Sequence, residues 1–215
     1  MKGIMLKDLY ENFYIKKNLV AYIFASLFFI VASAVMDTRY SFILYTMLLM
    51  IFFGTSVLET SSEQDDKAHF HKIQFTFPVT KAEIVISKYL LALICNGCWI
   101  MIALVYVLAN VYLRPLVTLA EALTVWGLGI CASLAFTSLI YVFYFLLGRK
   151  IGTVIYIASA LILGGMYGAS TVFFGIESYT SADTAVRLLF LLPASIVLYV
   201  LSCMLSILIY KKKYS

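Results

Sequence analysis

The sequence predicts an all-α integral membrane protein with six transmembrane helices and both termini in the cytoplasm. Three observations support this prediction. Of the 215 residues, 63% are hydrophobic and 13% are charged, which leaves too few polar groups to cover a soluble globule. About six apolar segments have the length of a membrane span. One long polar stretch, residues 60–88, separates the second segment from the third.

The length of each apolar segment supports its assignment as a span. A bilayer core of roughly 30 Å needs about 20 helical residues. The six segments are residues 19–36, 42–58, 84–112, 122–147, 151–174 and 186–210. The first two are at the short limit, so a chain with five spans is the main alternative.

The distribution of positive charge predicts the orientation, because Lys and Arg near span ends favour the cytoplasmic side. Of the 16 such residues, only Arg39, Arg114 and Arg187 lie on the side opposite the termini and the polar stretch. Both termini are therefore predicted to be cytoplasmic, which requires an even number of spans. The net charge of +5 reflects this asymmetry and does not indicate nucleic acid binding.

Residues 1–18 precede the first span and are predicted to form an amphipathic helix on the inner leaflet. Leu6, Leu9, Tyr10 and Phe13 recur at helical spacing, and polar residues occupy the remaining arc. The alternative is that this segment is only the frayed start of the first span.

The first span could instead be the apolar region of a signal peptide, since residues 32–34 (Ala-Ser-Ala) resemble a cleavage site. Against this, the preceding segment is long for such a peptide and includes Asp8 and Glu11. Cleavage would also leave an odd number of spans. A retained first span is therefore the favoured prediction.

The polar stretch contains two helix signals. Residues 61–67 place hydroxyl groups before clustered acids, a pattern that suits a helix N-terminus. Further on, Thr80 and Glu83 form a capping box, flanked by Val79 and Ile84 as a hydrophobic staple. The third helix should then begin at Lys81. If unbroken through residue 112, it would be about 48 Å long and its first two turns would protrude from the membrane.

The chain lacks the groups that a catalytic site requires. No carboxylate lies at mid-membrane, and no nucleotide-binding phosphate loop is present. His69 and His71 are two residues apart and so do not share a helix face, which disfavours a metal site. Cys95 and Cys98 spell a C-x-x-C motif, but in a lipid-embedded helix they are more simply small apolar residues. We expect neither an enzyme nor a bound metal or cofactor.

Within the spans, the uncharged polar residues Asn96, Ser133 and Thr137 can hydrogen-bond between helices or line a mildly polar path. Tyr141 and Tyr144 could line the same path beside further aromatic residues, although packing against other helices or lipid is equally expected. Gly164 and Gly168 form a G-x-x-x-G motif that allows close helix approach, within one subunit or between two.

Residues 75–90 (FTFPVTKAEIVISKYL) resemble the signature LPVSRxEIVxSKYL of small ABC-2 type permeases, the membrane subunits of bacterial ATP-binding-cassette exporters. Residues 7–10 (KDLY) also resemble the family's opening helix. Phe77 replaces the usual Leu, and Thr80-Lys81 replaces Ser-Arg. The six predicted spans agree with the family over essentially the whole chain.

The resemblance implies that residues 59–80 form a cytoplasmic coupling segment between a first hairpin, 19–58, and the helices within 81–215, all in one permease domain. This segment and the turn before the fifth span would contact a separate ATPase subunit that holds ATP and Mg. The residues expected at this contact are Glu63, Gln64, Asp65, Asp66, Lys67, Phe70, Lys72, Phe77, Arg149 and Lys150.

The resemblance also implies a second permease copy, identical or related, and membrane lipids as partners. Within the family, the chain resembles compact members such as the permeases of phenol-soluble modulin exporters. This resemblance implies an amphipathic peptide as substrate and the plasma membrane of a Gram-positive bacterium as location. A membrane sensor or immunity protein that binds such peptides without transporting them is the alternative. An intramembrane enzyme is disfavoured by the missing catalytic groups.

Overall fold

The computed structural model describes residues 2–36, 38–68, 70, 79–114 and 116–213, with the backbone alone described at positions 33, 34 and 182. These residues form eight helices and no strand. The helices are α1 (Lys2–Phe13), α2 (Lys16–Met36), α3 (Arg39–Lys67), α4 (Lys81–Leu113), α5 (Leu119–Leu147), α6 (Arg149–Phe174), α7 (Glu177–Thr180) and α8 (Ala182–Lys213).

Five of these helices, α3, α4, α5, α6 and α8, are long and apolar enough to cross a membrane. A sixth candidate is the pair α1 and α2, which is bent by 63° at the break between Phe13 and Lys16. The all-helical membrane fold predicted from the sequence is therefore confirmed. The count of six spans and the cytoplasmic termini remain predictions.

Capping boxes define the beginnings of α3, α4 and α5. In each box a threonine, at position 38, 80 or 118, accepts a hydrogen bond from the backbone of the third helical residue, whose side chain bonds back. Glu83 accepts from the Thr80 amide at 2.8 Å, so the predicted start of α4 at Lys81 is confirmed. With 33 residues, α4 is about 50 Å long.

The sequence prediction for residues 61–67 was wrong, because these residues end a helix instead of beginning one. The second apolar segment does not stop at residue 58, and α3 continues without a break through Lys67. Acids at a helix C-terminus oppose the helix dipole. Here their charge is offset by ion pairs, including that of Glu63 with Lys67 one turn away.

Helix α5 lies at the centre of the bundle, in contact with α3, α4, α6 and α8. Small residues let the helices approach closely at two points on α3 and α5. A methyl group added at Gly54 would lie 1.5 Å from Oδ1 of Asn96, and one at Gly129 would lie 2.7 Å from Sδ of Met50. In contrast, α6 packs on one side only and leaves most of its apolar surface exposed.

Candidate functional site

Four charged side chains from three helices meet at the end of the bundle where α3 terminates. Lys7 and Asp8 come from α1, Asp65 from the last turns of α3, and Lys88 from the second turn of α4. The Nζ of Lys7 lies 2.9 Å from Asp8 and 2.5 Å from Asp65. The Nζ of Lys88 lies 3.4 Å from Asp8 and 2.9 Å from Asp65. Each ammonium thus contacts both carboxylates, and we call this set the ion-pair ring.

The ion-pair ring is largely excluded from solvent. The side chains of Asp8 and Lys88 are 0% and 9% exposed. Glu11, one turn after Lys7 on α1, adds a third carboxylate 3.1 Å from the Lys7 ammonium. Charges buried to this degree are tolerated only when each has an opposite partner. Removing one member should therefore disturb the contact of α1 with α3 and α4.

The ion-pair ring explains how α1 is oriented. Leu6, Leu9 and Tyr10 are exposed, as expected for an apolar face turned to lipid. The polar arc, however, is turned into the protein: Asp8 and Asn12 are fully buried. The Asn12 amide donates to the Val57 carbonyl at 3.3 Å, and this bond joins α1 to α3 about two turns of α3 before Asp65. The helix is amphipathic as predicted, but its polar side binds protein.

Electrostatics favour the charged form of Lys7 in this position. Burial opposes its charge, but the attraction of the Asp8 and Asp65 carboxylates outweighs burial and raises the pKa of Lys7 above its ordinary value. Burial raises the pKa of the neighbouring Glu11 carboxyl in spite of its bond to Lys7. One oxygen from each of Asp8, Glu11 and Asp65 lies within 4.8 Å of the others, a spacing that could suit a metal ion. The Lys7 ammonium, however, contacts all three and supplies the positive charge.

A second set of charges lies beside the ion-pair ring. The Arg149 guanidinium, at the start of α6, lies 3.5 Å from Asp66 and 3.9 Å from Glu63 on α3. The turn before it is made by Gly148, whose φ of 81° disfavours any other residue. Between these groups and the ring lies a cavity of about 240 Å³, lined by apolar and charged side chains of α3, α4, α5, α6 and α8.

The structure brings together most of the residues predicted to contact an ATPase. Glu63, Asp66 and Lys67 of α3 lie with Arg149 of α6, while Gln64 and Lys150 lie on the same two helices. Asp65 belongs to the ion-pair ring, and the Phe70 ring lies 4.2 Å from the Lys7 ammonium. Lys72 and Phe77 fall outside the described residues. Whether this set contacts an ATPase remains a prediction.

Three members of this site were missed from the sequence. Lys7, Asp8 and Lys88 entered the family resemblance, the polar arc of α1 and the count of charges, but they were not predicted to form ion pairs. Two signals pointed to them: Lys7 and Glu11 are spaced for an ion pair within a helix. Lys88 lies between the apolar residues 84–86 and 89–95 of α4, so it also needs a partner of opposite charge.

The predicted path residues lie inside the bundle. The Ser133 hydroxyl of α5 lies 2.9 Å from Oδ1 of Asn96 on α4 and 3.0 Å from the Met50 carbonyl on α3, and it can donate to either. The Asn96 amide donates to Thr137 at 3.3 Å. These bonds join three helices, which is one of the two roles predicted for these residues. A role in a transport path remains a prediction.

The predicted aromatic path residues are also buried. Tyr141 is fully enclosed, and its hydroxyl has no hydrogen-bond partner among the described residues. The Tyr144 hydroxyl lies 3.1 Å from that of Thr153 on α6. Gly164 and Gly168 lie on the exposed side of α6, with no atom of the described residues within 4 Å of a methyl group added at either. Their surface is therefore open to a partner helix.

Comparison with known families gives one match. Residues 3–211 match the family described as ABC-2 family transporter protein. No curated protein and no solved structure gives a significant match to the chain. The match covers α1, the ion-pair ring and all the candidate spans, and it bears out the resemblance inferred from residues 75–90.

Proposed function

Because the chain belongs to the ABC-2 family of transporter proteins, we propose that it is the permease subunit of an ATP-driven exporter. Members of this family are membrane components of transporters, and membership implies an ABC ATPase partner and, typically, a pair of permeases. In our proposal the chain binds no nucleotide, and the partner hydrolyses ATP with Mg. The transported molecule is an amphipathic peptide, and the complex resides in the plasma membrane of a Gram-positive bacterium.

One observation carries the proposed coupling role: charged residues of four helices converge at one end of the bundle. The end of α3 is joined to α1 and α4 by the ion-pair ring and to α6 by Arg149. The excess of positive charge at this end supports a cytoplasmic location. An ATPase that binds here would contact the only part of the described chain where α1, α3, α4 and α6 are linked by ion pairs.

The proposed mechanism transmits movement through α3. This helix runs unbroken from Arg39 to Lys67, so a force applied to its last turns acts on its apolar part without an intervening loop. Asp65 passes the same displacement to α1 and α4 through the ion-pair ring. Arg149 passes it to α6, whose exposed face carries Gly164 and Gly168 and is our proposed contact with the second permease.

Affinity purification from native membranes tests the proposal. The full-length chain, tagged and extracted in mild detergent, should recover an ABC ATPase identified by mass spectrometry. Asp66→Lys should reduce this recovery at least tenfold, because Asp66 is exposed at the end of α3 and its reversal repels Arg149. The matched control Glu177→Lys, at the start of α7 and beyond the far end of α6, should not change it. Recovery of no ATPase with the unmodified chain would refute the proposal.

A further inference from the structure

An open cavity of about 300 Å³ lies between α2, α3 and α6, and it shares Glu63 with the coupling site. Aromatic rings of three helices form its inner part: Phe29 of α2, Phe52 and Phe53 of α3, and Tyr156 of α6. Glu59 and Glu63 lie at its other end, towards the terminus of α3. We call this the aromatic cavity. From its chemistry we infer that it binds a lipophilic cation; the proposed function names an amphipathic peptide and leaves the charge of its bound part unspecified.

The aromatic walls are held in place by their own contacts. The rings of Phe52 and Tyr156 pack edge to face with centroids 6.1 Å apart, and those of Phe29 and Phe53 with centroids 6.2 Å apart. The Tyr156 hydroxyl donates to the Phe52 carbonyl at 3.3 Å. A cation near such rings is attracted by the negative faces of their π-systems. An apolar cation also gains from leaving water.

Charge favours a cation over a neutral or anionic ligand. None of the described residues that line the aromatic cavity is Lys or Arg, whereas two are glutamates. Glu63 already pairs with Lys67 and lies 3.9 Å from Arg149. Glu59 is half-buried and bonded to the Thr153 hydroxyl. Arg149 attracts it from a distance, but among the described residues Glu59 forms no ion pair within 4.0 Å. Its carboxylate is therefore the group that a bound cation would neutralise.

The arrangement also fixes how the ligand lies. Glu59 is near the charged end of α3, while Phe29 and Phe52 lie deeper among the apolar residues of the spans. The cationic group would face Glu59 and the apolar body would lie against the rings. This inference rests on the proposed function, because a transporter needs a site that binds its substrate. The ligand is a lipophilic cation or the cationic, apolar part of a peptide.

Binding of two phenyl compounds of similar shape tests the inference. Radiolabelled methyltriphenylphosphonium, a cation, and triphenylphosphine oxide, which is neutral, are applied to the full chain in phosphatidylcholine nanodiscs. We expect saturable binding of the cation and at least tenfold weaker binding of the neutral compound. Glu59→Gln should weaken cation binding about tenfold, and Glu59→Asp should retain most of it. Phe52→Leu should weaken binding of both compounds, and Glu177→Gln should weaken neither.

Three outcomes would overturn the inference: no saturable binding of the cation, equal affinity for the two compounds, or an unchanged cation affinity in Glu59→Gln. Thermal unfolding of each variant in the same nanodiscs shows that a loss of binding is not a loss of fold. Recovery of the ATPase with the unmodified chain is measured separately. Absent cation binding with normal ATPase recovery therefore rejects the ligand site alone, and the reverse result rejects the proposed function.

Discussion

Replacing Lys88 by methionine should detach α1 from the bundle. Methionine keeps the length of the side chain and removes its charge, which leaves Asp8, Asp65 and Glu11 around the single ammonium of Lys7. Asp8 is 0% exposed and cannot be hydrated where it lies. Breaking a buried ion pair by removing one partner costs about 3–5 kcal/mol. For a chain of this size, that cost corresponds to a fall in Tm of roughly 6–20 °C.

Thermal unfolding of the detergent-solubilised protein, followed by a thiol-reactive dye that labels buried cysteines as they become exposed, measures this effect. The matched control is Lys212→Met, since Lys212 is exposed at the end of α8. The double variant Lys88→Met with Asp8→Asn restores the charge balance, and we expect it to recover at least a third of the lost Tm. The reasoning fails if the Tm of Lys88→Met lies within 2 °C of that of the control. It also fails if the fall in Tm of the double variant equals the sum of the falls for Lys88→Met and Asp8→Asn alone.

Three further predictions concern other parts of the molecule. Gly54→Ala should lower the free energy of unfolding by about 1–3 kcal/mol, because its methyl group would displace the Asn96 side chain. The control Gly97→Ala should not destabilise the protein, since its methyl group meets no neighbouring atom of the described residues within 4 Å. The Tm values of the two variants test this difference. Asp66→Lys should change Tm by less than about 4 °C, since exposed ion pairs contribute roughly 0–1 kcal/mol, even though it reduces ATPase recovery. Glu11→Gln should raise Tm at pH 7, and the difference from the wild type should disappear near pH 4. Because folding raises the pKa of the Glu11 carboxyl, the wild type loses stability as the pH rises through that pKa, and glutamine does not ionise. An unchanged Tm difference between the two pH values would contradict this reasoning.

Local signals in the sequence predicted the helices well. Hydrophobic length located the apolar part of every candidate span, and the capping box at Thr80 located the first residue of α4. Both signals depend only on residues that are close in the chain. The boundary of α3 was missed because its last turns are stabilised by distant partners, Lys7 and Lys88, which local helix rules do not include.

The candidate site could be predicted only in part. Its α3 acids and Arg149 were found through the family resemblance, but Asp8 and the lysine partners of Asp65 were not. Helical periodicity shows that α1 has a polar arc and does not show what that arc faces. In a membrane protein the apolar side can turn to lipid while Asp8 and Asn12 turn inward.

The aromatic cavity could not be predicted at all. Phe29, Phe52 and Tyr156 have the same residue types as side chains that face lipid or pack in the core. Nothing in their spacing separates the three cases, because the rings come from three helices that are distant in the chain. Their grouping depends on how α2, α3 and α6 cross, which only the tertiary structure gives.

The threonine caps at positions 38, 80 and 118 have a consequence for how the protein responds to bilayer thickness. A helix whose first residue is set by its own side chains cannot shorten or lengthen when the surrounding lipid becomes thinner or thicker. With α4 about 50 Å long and a hydrocarbon layer of roughly 30 Å, the mismatch must be taken up by tilt or by immersion depth. Lipid tail length would then determine how far the ends of these rods stand above the headgroups, and so how accessible they are to a protein on that side.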